Sequence, residues 1–540
     1  MEFDYLVVGG GSAGCVLAAR LSENPAVRVA LLEAGPRDTQ WLVHCPAGLA
    51  ALARTRQVNW DFSTVPQPGL LGRRGYQPRG KVLGGSSSIN AMIYVRGLPA
   101  DYDGWAAAGN PGWSWRDVLP YFRRAEHNER LRGEFHGQGG PLNVMDLRSP
   151  AALREDFVAA GVAAGWPFNP DFNDGDATGV GAYQVTHRNG ERCSTAKGYL
   201  DAARGRPNLT ILTGTQVSRL LTAMEEGQPT VQGLEFRGAD GSLQQLRLAA
   251  GGEVLLAAGA FGSPQLLMLS GIGPADHLRE LGIPLVHALE GVGANLHDHP
   301  DVILVVDAPR ARDALGLSLR GLARAPGALL NWHVRRQGWL TSNYAEAGGF
   351  LHTDRNESMP DVQLHFVVAK LKDHGRQTLL GQGYSLHVCL LRPRSRGSLR
   401  LASADPFAAP LIDPAFLDDP DDLRRLVQGV RLAREVLAQP ALARHGGIES
   451  ADSRHAVDER ALEAFVRQHA DTTYHPVGTC RMGQDSGAVV DAALRVHGVR
   501  ALRVVDASIM PSIVSGNTNA PTVMIAEKAV DLLRGVTHQG

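Results

Sequence analysis

The first 33 residues carry the pattern that most narrows the fold. Tyr5-Leu6-Val7-Val8 is a short apolar run of strand type, and Gly9-Gly10-Gly11-Ser12-Ala13-Gly14 follows without a break. Cys15-Val16-Leu17-Ala18-Ala19-Arg20-Leu21 has the small and apolar residues of a buried helix. A second strand, Val27-Arg28-Val29-Ala30-Leu31-Leu32, ends at Glu33. Strand, GxGxxG, helix, strand and acid is the order of a dinucleotide-binding βαβ unit. Gly9 permits the tight turn, Gly11 lets the backbone approach a pyrophosphate, and Gly14 brings helix and strand together. The helix start offers free N–H groups and a positive dipole to phosphate. Glu33, nineteen residues beyond Gly14, is placed to accept bonds from ribose hydroxyls. The pattern does not separate NAD from FAD, and the acid disfavours the 2′-phosphate of NADP.

At 540 residues the chain is too long for one core, since domains run to roughly 100–200 residues. Its 54 Lys+Arg against 55 Asp+Glu lack the basic excess of a nucleic-acid binder. Five cysteines (Cys15, Cys45, Cys193, Cys389 and Cys480), with no CxxC pair, argue against a disulfide framework or structural zinc. There is no run of 18 apolar residues and no basic-then-hydrophobic leader. A cytoplasmic location is the expectation.

Four further strings decide the cofactor. Arg79-Gly80-Lys81-Val82-Leu83-Gly84-Gly85-Ser86-Ser87-Ser88-Ile89-Asn90 is the first. Gly259-Ala260-Phe261-Gly262-Ser263-Pro264, continuing to Ser270-Gly271-Ile272-Gly273, is the second. Tyr474-His475-Pro476-Val477-Gly478-Thr479-Cys480-Arg481-Met482-Gly483 is the third. The fourth is Val505-Asp506-Ala507-Ser508, then Gly516-Asn517-Thr518-Asn519-Ala520-Pro521-Thr522. In sequence and order these resemble the signatures of the glucose–methanol–choline (GMC) flavoprotein oxidoreductases, and the likeness runs over essentially the whole chain.

The resemblance implies an α/β fold in which a discontinuous Rossmann-like FAD-binding domain carries a substrate domain built on a mainly antiparallel sheet and helices. The FAD domain is expected over 1–155, 198–300 and 475–540, and the substrate domain over 156–197 and 301–474. Alternating runs such as Val362-Gln363-Leu364-His365-Phe366 and Leu386-His387-Val388-Cys389-Leu390 suit a sheet with one covered face. The implied FAD contacts, besides Gly9, Gly11, Gly14 and Glu33, are Ser12, Ala13, Ala34, Trp60, Gly80, Val82, Gly84, Gly85, Ser86, Asn90, Ala91, Met92, Val217, Ala258, Gly259, Asp506, Ala507, Asn517, Pro521 and Thr522. Members with covalent FAD use a histidine just before the asparagine of the first signature. Ile89 stands there and has no nucleophilic atom, so noncovalent FAD is expected.

Alcohol oxidation by a flavin needs a base for the hydroxyl proton, and an imidazole with a pKa near 6.5 suits that task. The resemblance assigns His475 as base and Asn519, 44 residues further on, as the amide that orients the substrate oxygen. In Asn295-Leu296-His297-Asp298-His299-Pro300-Asp301, the family's choline-oxidising members carry a glutamate where Asp301 stands, so choline is not favoured. The HxDH spacing admits a metal reading, but this loop holds no metal in the family, and none is expected. Local likeness around Arg79–Gly97 and Leu340–Leu351 is to alcohol dehydrogenases of alkane degradation. Those oxidise primary alcohols and pass electrons to a membrane quinone. Choline dehydrogenase or oxidase, and a non-redox FAD-containing hydroxynitrile lyase, are the alternatives. Between Ala308 and Leu340, Leu315, Leu317, Leu319, Leu322, Leu329, Leu330 and Trp332 lie among Arg310, Arg312, Arg320, Arg324, Arg335 and Arg336. Such a segment offers peripheral contact with anionic lipid, or a lid on the substrate domain, the more ordinary reading.

Overall fold

The computed structural model describes residues 2–535 except 53, 54, 317, 318 and 378, and omits the side chains of 319–324. The opening motif forms what its spacing predicts. Strand β1 (Glu2–Val8) leads through the glycine turn into helix α1 (Ser12–Leu21) and strand β2 (Val29–Glu33). β1 lies parallel to β2, which continues parallel to Leu209–Thr213. On its other side β1 pairs parallel with the 14-residue strand Leu243–Leu256. The buried end of that long strand, Val254–Leu256, also pairs parallel with Leu502–Val504. Its outer end joins an antiparallel meander with Gln228–Arg237 and Gln216–Glu225, completing a seven-stranded mixed sheet.

A second sheet is antiparallel throughout. Its order is Ala345–Leu351, Val362–Val367, Gly383–Leu390, Pro300–Asp307, with short partners at Ile448–Glu449 and Asp471–Thr472. Strand alternation divides it. Val362, Leu364, Phe366, Leu386, Val388 and Leu390 pack in one core with helix Pro420–Leu437, through Leu423, Leu426 and Val430, and helix Ala152–Ala163. Phe157 stacks on Phe366 with centroids 4.6 Å apart. Gln363, His365, His387 and Cys389 take the other face, and they too are buried. The alternation that reads as one covered and one wet face therefore marks an apolar face and a polar face turned to an internal cavity.

The first core gathers residues from the whole length of the chain. Ala196, Tyr199 and Leu200 pack in it. So do Leu399, Leu401 and Ile412 of the hairpin Ser398–Arg400/Leu411–Asp413, which lies within the 301–474 stretch. The segment with the basic amphipathic pattern contains helix Leu319–Arg335. Leu329, Leu330 and Val334 are exposed there, whereas Trp332 is buried and donates from Nε1 to the Gly190 carbonyl at 3.0 Å. Leu317 and the side chains of Leu319, Arg320, Leu322 and Arg324 lie outside the described residues. No helix among the described residues is long and apolar enough to cross a membrane. All five cysteines are free and buried.

Candidate active site

A cavity of about 520 Å³ runs between the two sheets, from the α1 end of the first to the polar face of the second. At one end Gly9 (φ 101°) makes the turn and Gly11 caps α1 without a side-chain bond, leaving the first-turn N–H groups toward the cavity. A Cβ on Gly14 would lie 1.8 Å from the Gly9 carbonyl oxygen, so this glycine serves the helix–strand contact and not the cavity wall. Glu33 accepts from the Gly10 and Gly35 N–H groups at 2.9 and 2.7 Å, yet burial drives its carboxyl up to about 7.

At the other end stands His475, on the loop after Asp471–Thr472. Tyr474 holds a left-handed backbone (φ 73°), and Asp298 accepts from the His475 N–H at 2.8 Å and from the His299 N–H at 2.8 Å. One carboxylate thus fixes both histidine-bearing loops. Two hydrogen-bond chains, each anchored on a main-chain carbonyl, converge on the His475 imidazole. In the first, His299 Nε2 lies 2.9 Å from the Leu391 oxygen and must donate to it. His299 Nδ1 is then a bare acceptor, 3.0 Å from His475 Nδ1, which must carry the proton. In the second, the Tyr183 hydroxyl donates to the Leu364 carbonyl at 2.7 Å and accepts from Gln363 Nε2 at 3.2 Å. Gln363 Nε2 also reaches Asn517 Oδ1 at 3.3 Å, which turns Asn517 Nδ2 toward His475 Nε2 at 3.2 Å. Both chains assign the same tautomer: Nδ1–H, with the Nε2 lone pair accepting from Asn517 Nδ2 at the cavity wall. Burial, then His299, His365 and Arg79, hold His475 well below the usual histidine range, so the ring is neutral.

The matching family models settle the assignment. The N-terminal model of the GMC oxidoreductases covers residues 3–301 and the C-terminal model covers residues 393–526. The chain belongs to the GMC oxidoreductases. An alcohol dehydrogenase [acceptor] of Pseudomonas putida is 46% identical over 532 residues, 98% of this chain and 95% of that one. The mitochondrial choline dehydrogenase of Mus musculus is 44% identical over 545 residues, 99% of this chain and 90% of that one. Among solved structures, pyridoxine 4-oxidase from Mesorbium loti superposes with TM-score 0.87 at 34% identity, covering 99% of this chain and 100% of that chain.

As a GMC oxidoreductase the protein is FAD-dependent, and the cavity's donor set fits that group. The uncapped α1 start would suit a pyrophosphate, and ribose hydroxyls would add donors to those Glu33 already has from Gly10 and Gly35. Of the residues expected from the sequence, all line this cavity except Gly14, Val82, Gly84 and Pro521. Val82 is packed with Val43, Leu52 and Val58, and Gly84 (φ 90°) donates to the Gly10 carbonyl at 2.7 Å. Pro521 is buried in the first turn of helix Asn519–Arg534. Asp506 accepts from Gly259 N–H and the Ser263 hydroxyl at Oδ2 and from Ser508 N–H at Oδ1, and so holds the 259 turn at the cavity wall.

One expectation needs correction. The amide beside His475 is Asn517, not Asn519. Asn517 precedes the last helix, whereas Asn519 opens it and accepts from the Ser12 hydroxyl at 2.8 Å, tying the starts of the last helix and α1 together. Sequence reasoning also missed His299, Gln363 and Tyr183. His299 stood in the HxDH string, but among the described residues no acid–histidine–cysteine group of three or more is set to hold a metal.

Proposed function

We propose that this GMC oxidoreductase oxidises an uncharged primary alcohol to its aldehyde, with His475 as general base and Asn517 as orienter. FAD, when bound, supplies the hydride acceptor at N5. When substrate binds, the carbinol hydroxyl takes the place of Asn517 at His475 Nε2, which accepts its proton, while Asn517 Nδ2 donates to the carbinol oxygen as negative charge builds there. The alcohol thus loses one proton to His475 and one hydride, two electrons in all, and leaves as aldehyde. His299 positions the base by accepting its Nδ1–H, and the buried walls exclude water. The observation that carries this reading is the convergence of two anchored hydrogen-bond chains on one imidazole, one at Nδ1 and one at Nε2, which together put its proton on Nδ1.

The walls support an uncharged substrate. The only carboxylates among the described residues lining the cavity are Glu33 and Asp506, both on the first-sheet side. Asp301, where choline-oxidising relatives carry their acid, lies behind His387 and accepts from its Nδ1 at 2.6 Å. Leu315, Val367, Ala369, Leu371 and Leu379 give the second-sheet end an apolar strip for an alkyl tail, beside its polar groups His365, Lys370, His374, Gln377 and His387. The Pseudomonas putida relative named alcohol dehydrogenase [acceptor] agrees with an external acceptor, which we take to be quinone-like. The same reading places the protein in the cytoplasm, with the exposed Leu329, Leu330 and Val334 as its contact with a membrane carrying the acceptor. Ile89 on the cavity wall supports noncovalent FAD.

Anaerobic titration with a medium-chain primary alkanol tests the reading. Bleaching of the yellow absorption at well below the concentration needed with choline is expected. An unchanged spectrum with both would refute an alcohol-oxidising role and point to the lyase. Acid precipitation should leave the pellet colourless.

A further inference from the structure

Arg192 is buried, and no carboxylate among the described residues pairs with it. Its Nε donates to the Val43 carbonyl at 2.9 Å. Its Nη1 donates to the carbonyls of Ser87 at 3.2 Å and Asn90 at 2.7 Å, and to Asn90 Oδ1 at 2.9 Å. Nη2 has no hydrogen-bond partner among the described residues. The nearest titratable groups cannot balance it. Burial pushes the Cys45 thiol up to about 11 and the His187 imidazole down to about 3, leaving both neutral. A lone guanidinium in a low-dielectric interior is expensive, and burial draws Arg192 itself down to about 9. The charge calls for a function of its own.

Its position supplies one. Ile89, Asn90, Ala91 and Met92 wall the cavity shared with His475 and Asn517, and Arg192 grips that turn from behind. Asn90 Oδ1 is taken by Arg192 and by the Met92 N–H at 3.0 Å, leaving the Asn90 amide N–H₂ as the group toward the cavity. We propose that Arg192 is a positioning residue that sets the reduction potential of the bound FAD. Its unpaired positive charge would stabilise the negative charge that a bound flavin gains with two electrons, and its grip on Asn90 leaves that side chain's N–H₂ free on the cavity wall. This rests on the cavity being the FAD site and on nothing about His475. A wild-type protein without a flavin spectrum would sink that underlying reading first.

The test uses holoenzyme. Two-electron midpoint potential and sulfite affinity are measured for wild type, Arg192→Met, Arg192→Gln and Arg192→Lys. The neutral variants should keep FAD, because the Gly9–Gly14 cradle is untouched. They should favour oxidised FAD at least tenfold more than wild type, a drop of about 30 mV for a two-electron couple. They should also bind sulfite at least tenfold more weakly. Arg192→Lys, which keeps charge but not the fork, should stay within about threefold of wild type on both measures. Wild-type potential and sulfite affinity in either neutral variant would overturn the proposal. Failure of both neutral variants to retain FAD would also overturn it, in favour of a scaffolding role.

Discussion

Replacing His299 tests the tautomer argument without touching the base. In His299→Leu the side-chain volume is nearly kept, but His475 Nδ1–H loses its acceptor at 3.0 Å. Its only remaining neighbour is the Thr473 hydroxyl at 3.4 Å, too far for a good bond. Leaving a buried donor unmatched costs about 1–3 kcal/mol. That penalty falls on the Nδ1–H tautomer and favours moving the proton to Nε2, where it blocks the base. The competent fraction, and with it the rate of FAD reduction at saturating alcohol, should fall roughly 10- to 100-fold. In His299→Asn the amide oxygen lies near the place of Nδ1 and can accept the same proton, so the rate should recover to within a few fold of wild type. The assay is anaerobic stopped-flow bleaching, normalised to bound FAD. Equal rates in the Leu variant and wild type would refute the reasoning, as would a Leu variant faster than the Asn variant.

Three other outcomes follow from the same geometry. Asn517→Ala should slow flavin reduction by roughly 10²–10³, the usual loss for a donor to developing oxyanion charge. Asn519→Ala should leave that rate within a few fold and lower stability by about 1 kcal/mol in urea melts, because it loses only the Ser12 bond; the reverse ranking would restore Asn519 as orienter. Burial holds His187, His297, His299 and His365 down to about 3. Between there and the ordinary value of 6.5 the unfolded chain binds more protons than the native one. Stability is therefore fully present above pH 6.5 and declines as pH falls, by up to about 1.4 kcal/mol per pH unit for each; a urea midpoint unchanged from neutral pH to about pH 5 would contradict this. Gly14→Ala should yield no FAD-loaded protein, since its methyl would collide with the Gly9 carbonyl at 1.8 Å; recovery of normal holoenzyme would show that the helix can shift.

The nucleotide end was legible because its chemistry is local. β1, the glycine turn, α1, β2 and Glu33 are consecutive, and turn sterics and helix termini act within a few residues. The reacting end is assembled from distance. His299 and His475 are 176 residues apart, and Gln363 and Asn517 are 154 apart, so no spacing along the chain announces either bond. The choice between Asn517 and Asn519 turned on where the last helix begins. Asn517 lies before the first helical residue and reaches His475, whereas Asn519 opens the helix and reaches Ser12. Alternation in Val362–Phe366 and Leu386–Leu390 correctly indicated strands. It misled about their polar face, because His365 and His387 look outward in a pattern yet line a cavity. The hairpin of Leu399 and Ile412 crosses to the first core for the same reason: hydrophobicity shows that a residue is buried, not against which sheet.

The most direct measurement is the anaerobic reduction rate of His475→Ala holoenzyme with a primary alkanol that bleaches the wild type. With the Nε2 lone pair removed and no other imidazole bonded to Asn517, reduction should slow by at least about 10², the low end for general base catalysis, while FAD stays bound. A yellow His475→Ala protein that bleaches at the wild-type rate would contradict the account.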